Sequence, residues 1–178
     1  MNIIFFSERN ILPLTYTRPV ADLRVGILTI SEKWQKFFTT TEVSFLEETH
    51  LSEFFTTVFT NDNLYINANF CPSEDLMLSD LLRKKNISLW QNEKLVLLHT
   101  SEHFSSKDDI IIFAKKHTNA LQASELSEIF FPWDIFLKNK LPAFSLTPTN
   151  NVSVSIPKIA RKFSPLKNDC EKSGGIKR

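Results

Sequence analysis

The chain has 178 residues, 42% hydrophobic and 23% charged, with a formal net charge of +1. That length fits one domain with a sizeable core. The near-neutral balance excludes a global field suited to nucleic acid or an acidic membrane surface, so any anion site must be local.

Asn2 to Phe6 is a short apolar run, expected as a strand buried on both faces. Ser7 to Asn10 breaks it with polar residues. In open α/β sheets ligands bind just past the C-terminal ends of strands, so Arg9 stands at a candidate site position, or is an ordinary solvated arginine.

Pro13 to Ile27 follows, with Pro13, Pro19, Arg18, Arg24, Asp22 and Gly26. It is too broken for one helix and too polar for a buried strand, and reads as an extended loop. Arg18 and Arg24 are either phosphate-holding arginines, whose planar forks donate paired hydrogen bonds, or surface arginines flanking a loop.

Ser31 is the expected cap of a helix with Glu32 in its first turn and Trp34, Phe37 and Phe38 at helical spacing. Val43 to Leu46 is a candidate short strand, and Leu51 to Phe55 a candidate short helix. His50 stands apart from other ligand types and reads as a surface residue.

Leu64 to Phe70 has the composition of a central strand, with Asn67 and Asn69 at its C-terminal end. Ser73 caps a helix expected from Glu74 to Lys85. Ile87 to Gln91 and Lys94 to His99 flank Asn92 and Glu93 as a hairpin. His99 and His103 are four apart, but they stand in strand and then loop, which argues against a metal pair. Asp108 to His117 fits an amphipathic helix or a buried strand. Phe130 and Phe131 are expected in the core, with a place in a pocket as the alternative. Pro132 is placed to start a helix with Asp134 in its first turn.

From Pro142 the character changes. Val152 to Ile156 alternates like a strand without a clear partner, and the residues after Lys162 read as a polar, basic, poorly ordered tail. Cys71 and Cys170 make neither a disulfide framework nor a metal-ligand spacing, which fits a reducing compartment. The N-terminus lacks the basic start of a signal peptide, and no run nears the roughly 20 apolar residues of a membrane span. The expectation is a cytoplasmic protein.

Glycine is scarce: of three, two are Gly174 and Gly175. There is therefore no G-x-G-x-x-G turn and no P-loop, and side chains or loop amides would have to hold a nucleotide's phosphates.

Several stretches, in order, resemble one family. They are Met1 to Phe6, Leu12 to Trp34 with Leu12-Pro-Leu-Thr15 and Thr17-Arg-Pro-Val-Ala-Asp-Leu-Arg-Val-Gly-Ile27, then Leu64 to Asn67 and Pro132 to Phe136. Together they look like a divergent branch of the sugar-1-phosphate nucleotidyltransferases. That branch is similar to the N-terminal half of bifunctional N-acetylglucosamine-1-phosphate uridylyltransferase/glucosamine-1-phosphate acetyltransferase proteins. The resemblance implies an α/β fold over residues 1–141: a doubly wound, mixed, mostly parallel sheet flanked by helices. It also implies transfer of a nucleotidyl group, uridylyl by this likeness, from a nucleoside triphosphate to a sugar 1-phosphate, with release of pyrophosphate and Mg²⁺ as cofactor. Such products feed cell-envelope precursor synthesis.

By this resemblance Arg9 and Arg18 are the candidate catalytic cations, and Thr15, Asp22, Arg24, Asn67 and Asn69 candidate substrate contacts. Asn69 falls where typical members carry the metal-binding aspartate, and no metal ligand is assigned here. The alternative is a nucleotide-sugar binding module, or a degenerate remnant, without turnover. Relatives continue into a left-handed β-helix of hexapeptide repeats. The sequence stops at residue 178, so residues 142–178 are expected to be a linker and the truncated start of a second domain, without acetyltransferase activity.

Overall fold

Strand β1, Asn2–Phe6, is buried along its whole length, as a run apolar on both faces requires. The computed structural model describes residues 1–38, 42–48, 50–73, 85–123 and 126–138, all within one compact unit, Met1–Leu146. The helix expected after Ser73, the Val152 to Ile156 strand and the tail lie outside the described residues.

The chain then forms a small hairpin of β2 (Arg24–Val25) and β3 (Leu28–Thr29), helix α1 (Ile30–Phe38), and strands β4 (Val43–Phe45), β5 (Asn63–Asn67) and β6 (Phe70–Cys71). Strands β7 (Ile87–Gln91) and β8 (Lys94–Thr100), helix α2 (Lys107–His117), β9 (Asn119–Gln122), β10 (Ser127–Glu128) and the short helix α3 (Asp134–Leu137) complete it.

Six strands make one sheet in the order β4-β1-β5-β8-β7-β9. β1 runs parallel to β4 and β5, β7 runs parallel to β9, and β8 is antiparallel to both of its neighbours. Five strands therefore point the same way, and the sheet is mixed and mostly parallel, as expected. Ile3, Phe5, Leu64 and Ile66 face α1 through Ile30 and Trp34. Ile4, Phe6, Tyr65 and Leu98 face α2 through Ile110 and Ala114. Helices on both faces make the domain doubly wound. Among the described residues no helix is long and apolar enough to cross a membrane.

Four expectations are corrected. The segment after Pro13 is not simply extended, because it contains a 3₁₀ turn at Val20–Asp22 and then the β2–β3 hairpin, closed at Gly26 with φ 81°. Helix α1 starts earlier than the Ser31 cap implied. Thr29 Oγ1 accepts from the Glu32 amide at 3.1 Å, and Glu32 Oε2 accepts from the Thr29 amide at 2.7 Å. This reciprocal capping box satisfies two otherwise orphan donors, which Ser31 does not do. The central strand ends at Asn67 rather than Phe70, because Ala68 and Asn69 turn the chain into β6. The last helix starts at Asp134, so Pro132 belongs to the turn before it.

The open choice at Asp108 to His117 resolves as a helix. Ile110 and Ala114, one turn apart, are its buried residues, and Ser106 Oγ caps it by accepting from Asp108 N. The β7–β8 hairpin turns on Asn92 (φ 48°) and Glu93 (φ 64°), the doubly positive geometry of a type I′ turn.

Candidate active site

The shared strand direction brings several loops to one edge of the sheet. These are residues 7–10 after β1, 46–48 after β4, 67–69 after β5, and the turn that begins β8 at Lys94. This is the edge at which parallel sheets bind ligands.

Arg9 is held there twice. Its backbone pairs with the Asn69 side chain: Arg9 N–H donates to Asn69 Oδ1 at 3.2 Å, and Asn69 Nδ2 donates to the Arg9 carbonyl at 3.0 Å. Its guanidinium lies over the Phe130 ring, 3.9 Å from the centroid, with Phe131 at 5.5 Å. Among the described residues it makes no ion pair, so its charge and donors stay available. Phe130 and Phe131 are thus not core residues. Phe130 is half-buried, Phe131 is 37% exposed, and no local signal in either stretch announces the cation beside them.

Asn67 and Asn69 are buried and engaged with backbone. Asn67 Nδ2 donates to the Leu95 carbonyl at 2.9 Å, and its Oδ1 accepts from the Asn69 amide at 3.1 Å. Asn69 Nδ2 also donates to the Ile129 carbonyl at 3.2 Å, and Ile129 N–H returns a bond to the Asn69 carbonyl at 2.7 Å. The pair pins β5, β8, the Arg9 loop and the Ile129 strand end together.

Glu8 stands beside Lys94 and Glu128. Burial pushes its carboxyl up, Lys94 and the Leu95 amide pull it down, and Glu128 pushes it further up. Lys94 Nζ is bound to Glu128 Oε1 at 2.5 Å and lies 5.1 Å from the Phe130 centroid. Lys138 Nζ also donates to the Glu128 carbonyl.

Arg18, Asp22 and Glu47 form the neighbouring group. Burial pushes Asp22 up, Arg18 opposes it, and Glu32 adds to it. Burial likewise pushes Glu47 up, helped by Glu48 and Asp22 and opposed by His50 and Lys107. Glu8, Asp22 and Glu47 are the described carboxyls that are pushed up, and all belong to this edge or to the segment facing it. Such clustering is what functional sites show. A small recess of about 60 Å³ lined by Ser7, Glu8, Asn10, Glu47 and Lys107 links the two groups.

Among the other expected contacts, Arg24 is exposed and closes its own hairpin, with Nη1 donating to the Ile27 carbonyl at 2.6 Å. Thr15 is buried, and its hydroxyl has no hydrogen-bond partner among the described residues. His99 and His103 go to separate partners, Asp62 and the Thr60 carbonyl, and His50 is exposed, its Nε2 2.7 Å from the Tyr16 carbonyl oxygen.

The N-termini of the two longer helices are already occupied. Glu32 and Thr29 cap α1, while Ser106 and Glu48, which accepts from Lys107 N at 2.7 Å, cap α2. With no glycine-rich loop in the sequence either, the described residues offer a phosphate arginines and loop amides.

Residues 3–141 match the profile of the family described as sugar nucleotidyl transferase, which is more than half of the chain. No curated protein matches it. With its doubly wound sheet and a cation fixed beyond β1, the chain belongs to the sugar nucleotidyl transferase family.

Proposed function

We propose that the chain transfers a nucleotidyl group, uridylyl in the first instance, to a sugar 1-phosphate. A sugar-phosphate oxygen attacks the α-phosphorus of the nucleoside triphosphate. The bond from that phosphorus to the α,β-bridging oxygen breaks, and pyrophosphate carries away the electron pair. Charge develops on the phosphoryl oxygens, and fixed cations that need no reorganisation lower that barrier most.

The observation that supports this reading is Arg9, held by Asn69 and Phe130 at the end of β1 with no ion pair among the described residues. Arg18 is exposed beside Asp22 and serves as the second cation, and Thr15, Asp22 and Arg24 line the segment that meets the substrates.

The Mg²⁺ that the family likeness implies does not fit at Asn69. The amide nitrogen faces two carbonyls, the oxygen already accepts an N–H, and no three His, Cys, Asp or Glu among the described residues could hold a metal.

The test is pyrophosphate release from UTP, and from the other nucleoside triphosphates, with N-acetylglucosamine 1-phosphate as acceptor. Release that depends on the sugar phosphate supports the proposal, and none at high protein concentration defeats it. The same Asn69 geometry favours one other reading, a module that binds nucleotide sugars without turnover. Calorimetry with UDP-sugars separates the two, because a module binds and does not turn over.

A further inference from the structure

We infer that Phe130 and Asp134 are positioning residues for Arg9: they fix the direction of its guanidinium toward a phosphate. The inference rests on the reading of Arg9 as a phosphate contact. An exposed arginine has many rotamers, and confining one costs side-chain entropy when the ligand must do it. Here the protein confines it beforehand. The guanidinium carbon lies 3.9 Å from the Phe130 ring centroid, a cation–π contact that holds the group while leaving it without an ion pair among the described residues.

Phe130 is itself held from below. Asp134 Oδ2 accepts from both the Phe130 and Phe131 amides, each at 2.8 Å. That bifurcated grip sets the corner between β10 and α3. The adjacent rings brace it, with Phe130 and Phe131 edge to face at 4.6 Å and Phe131 stacked on Trp133 at 4.6 Å. From the other side Asn69 ties the Arg9 backbone to Ile129, the residue before Phe130. Arg9 and its platform are therefore referenced to one amide side chain. Lys94, the other cation near Phe130, is neutralised by Glu128, which leaves Arg9 as the cation on that ring without an ion pair among the described residues.

The test is a double-mutant cycle on the full chain, with UTP as the probe in calorimetry. The variants are Arg9→Ala, Phe130→Leu, the double variant, and Phe130→Tyr as rescue, with a melting temperature recorded for each. Expected are a loss in affinity of roughly three- to tenfold for Phe130→Leu, recovery in Phe130→Tyr, and no further loss when Phe130→Leu is added to Arg9→Ala. Asp134→Asn, which keeps one acceptor oxygen, is expected to lose less than Asp134→Ala. Wild-type binding by Phe130→Leu with a clear loss in Arg9→Ala overturns the inference and leaves the phosphate reading standing. Additive losses overturn it too, since a purely structural Phe130 acts independently of Arg9. Wild-type affinity in Arg9→Ala, or no binding of UTP by the wild type, overturns the phosphate reading and the inference with it.

Discussion

Replacing Asn69 by aspartate would restore the residue that family likeness places there, and the structure predicts that the change is destabilising. The Asn69 amide donates to the carbonyls of Arg9 (3.0 Å) and Ile129 (3.2 Å) and accepts from Arg9 N–H (3.2 Å), in a side chain left only 3% exposed. A carboxylate keeps the acceptor but loses both donors, and turns an oxygen toward two carbonyl oxygens. Two lost hydrogen bonds with two stranded carbonyls cost roughly 2–3 kcal/mol, and the confined charge adds about 1 more. For a chain of this size that is a drop in melting temperature of roughly 8–14 °C at pH 8.

The loss depends on pH in a stated direction. Burial raises the pKa of the introduced carboxyl in the folded state above its unfolded value of about 3.9. The unfolded variant therefore releases its proton first, and the cost grows as pH rises from about 4 through the folded pKa, then levels off. Once protonated, the acid can also donate to one carbonyl, so the deficit at pH 5 should be about half that at pH 8. Thermal unfolding of both proteins, followed by circular dichroism at the two pH values, gives the answer. A variant as stable as wild type at pH 8, or one worse at pH 5, would show that the Asn69 donors are not needed and revive Asn69 as a position open to a cation.

Two further expectations concern stability. Glu93 occupies the second positive-φ position of the β7–β8 turn, φ 64°, where a side chain is penalised, so Glu93→Gly should raise stability by about 0.5–1 kcal/mol; an unchanged melting temperature would count against the turn assignment. At Asp62 burial acts upward, but the hydrogen bond and charge of His99, with Lys85 and the N-terminus, prevail and hold its carboxyl below the usual range. A lowered folded pKa stabilises above the unfolded value and is lost as pH falls through the folded one, so Asp62→Asn should lower the melting temperature at pH 7 and flatten its decline below about pH 4. An acid limb that stays equally steep in the variant would assign it to other groups.

Much of the sheet was legible because its signals are local. Asn2 to Phe6 and Leu95 to Leu98 are short apolar runs bounded by polar residues, which suit buried strands, and Asn92-Glu93 separates two such runs by a turn's length. Strand direction then placed Arg9, Asn67 and Asn69 at one edge without side-chain detail. The helix at Lys107–His117 stayed open because Ile110 to Phe113 is a continuous apolar run, and only packing shows that the buried pair is Ile110 and Ala114.

The site chemistry was less legible because it is assembled from distant stretches. Nothing near Arg9 announces Phe130, and nothing near Phe130 announces that Asp134 holds its amide rather than serving a helix dipole. Strand-end position and the family resemblance put Asn67 and Asn69 forward as ligand contacts, and what neither could show is that the folded chain also engages both amides with backbone. The Glu8, Glu47 and Glu128 carboxylates entered only through burial and neighbours that the sequence does not show.

Under the proposed function, nucleotide binds at the edge beyond β1 and β5, on Arg9. A different concavity competes with it: a broad recess of about 700 Å³ lined by Trp90, Glu93, Lys115 and Gln122, between α2 and β9. Amide hydrogen exchange with and without saturating UTP decides between them. Protection confined to residues 7–22, 67–71 and 127–134, and abolished in Arg9→Ala, is the predicted result. Protection at residues 90–93 and 114–122 that survives Arg9→Ala would contradict it.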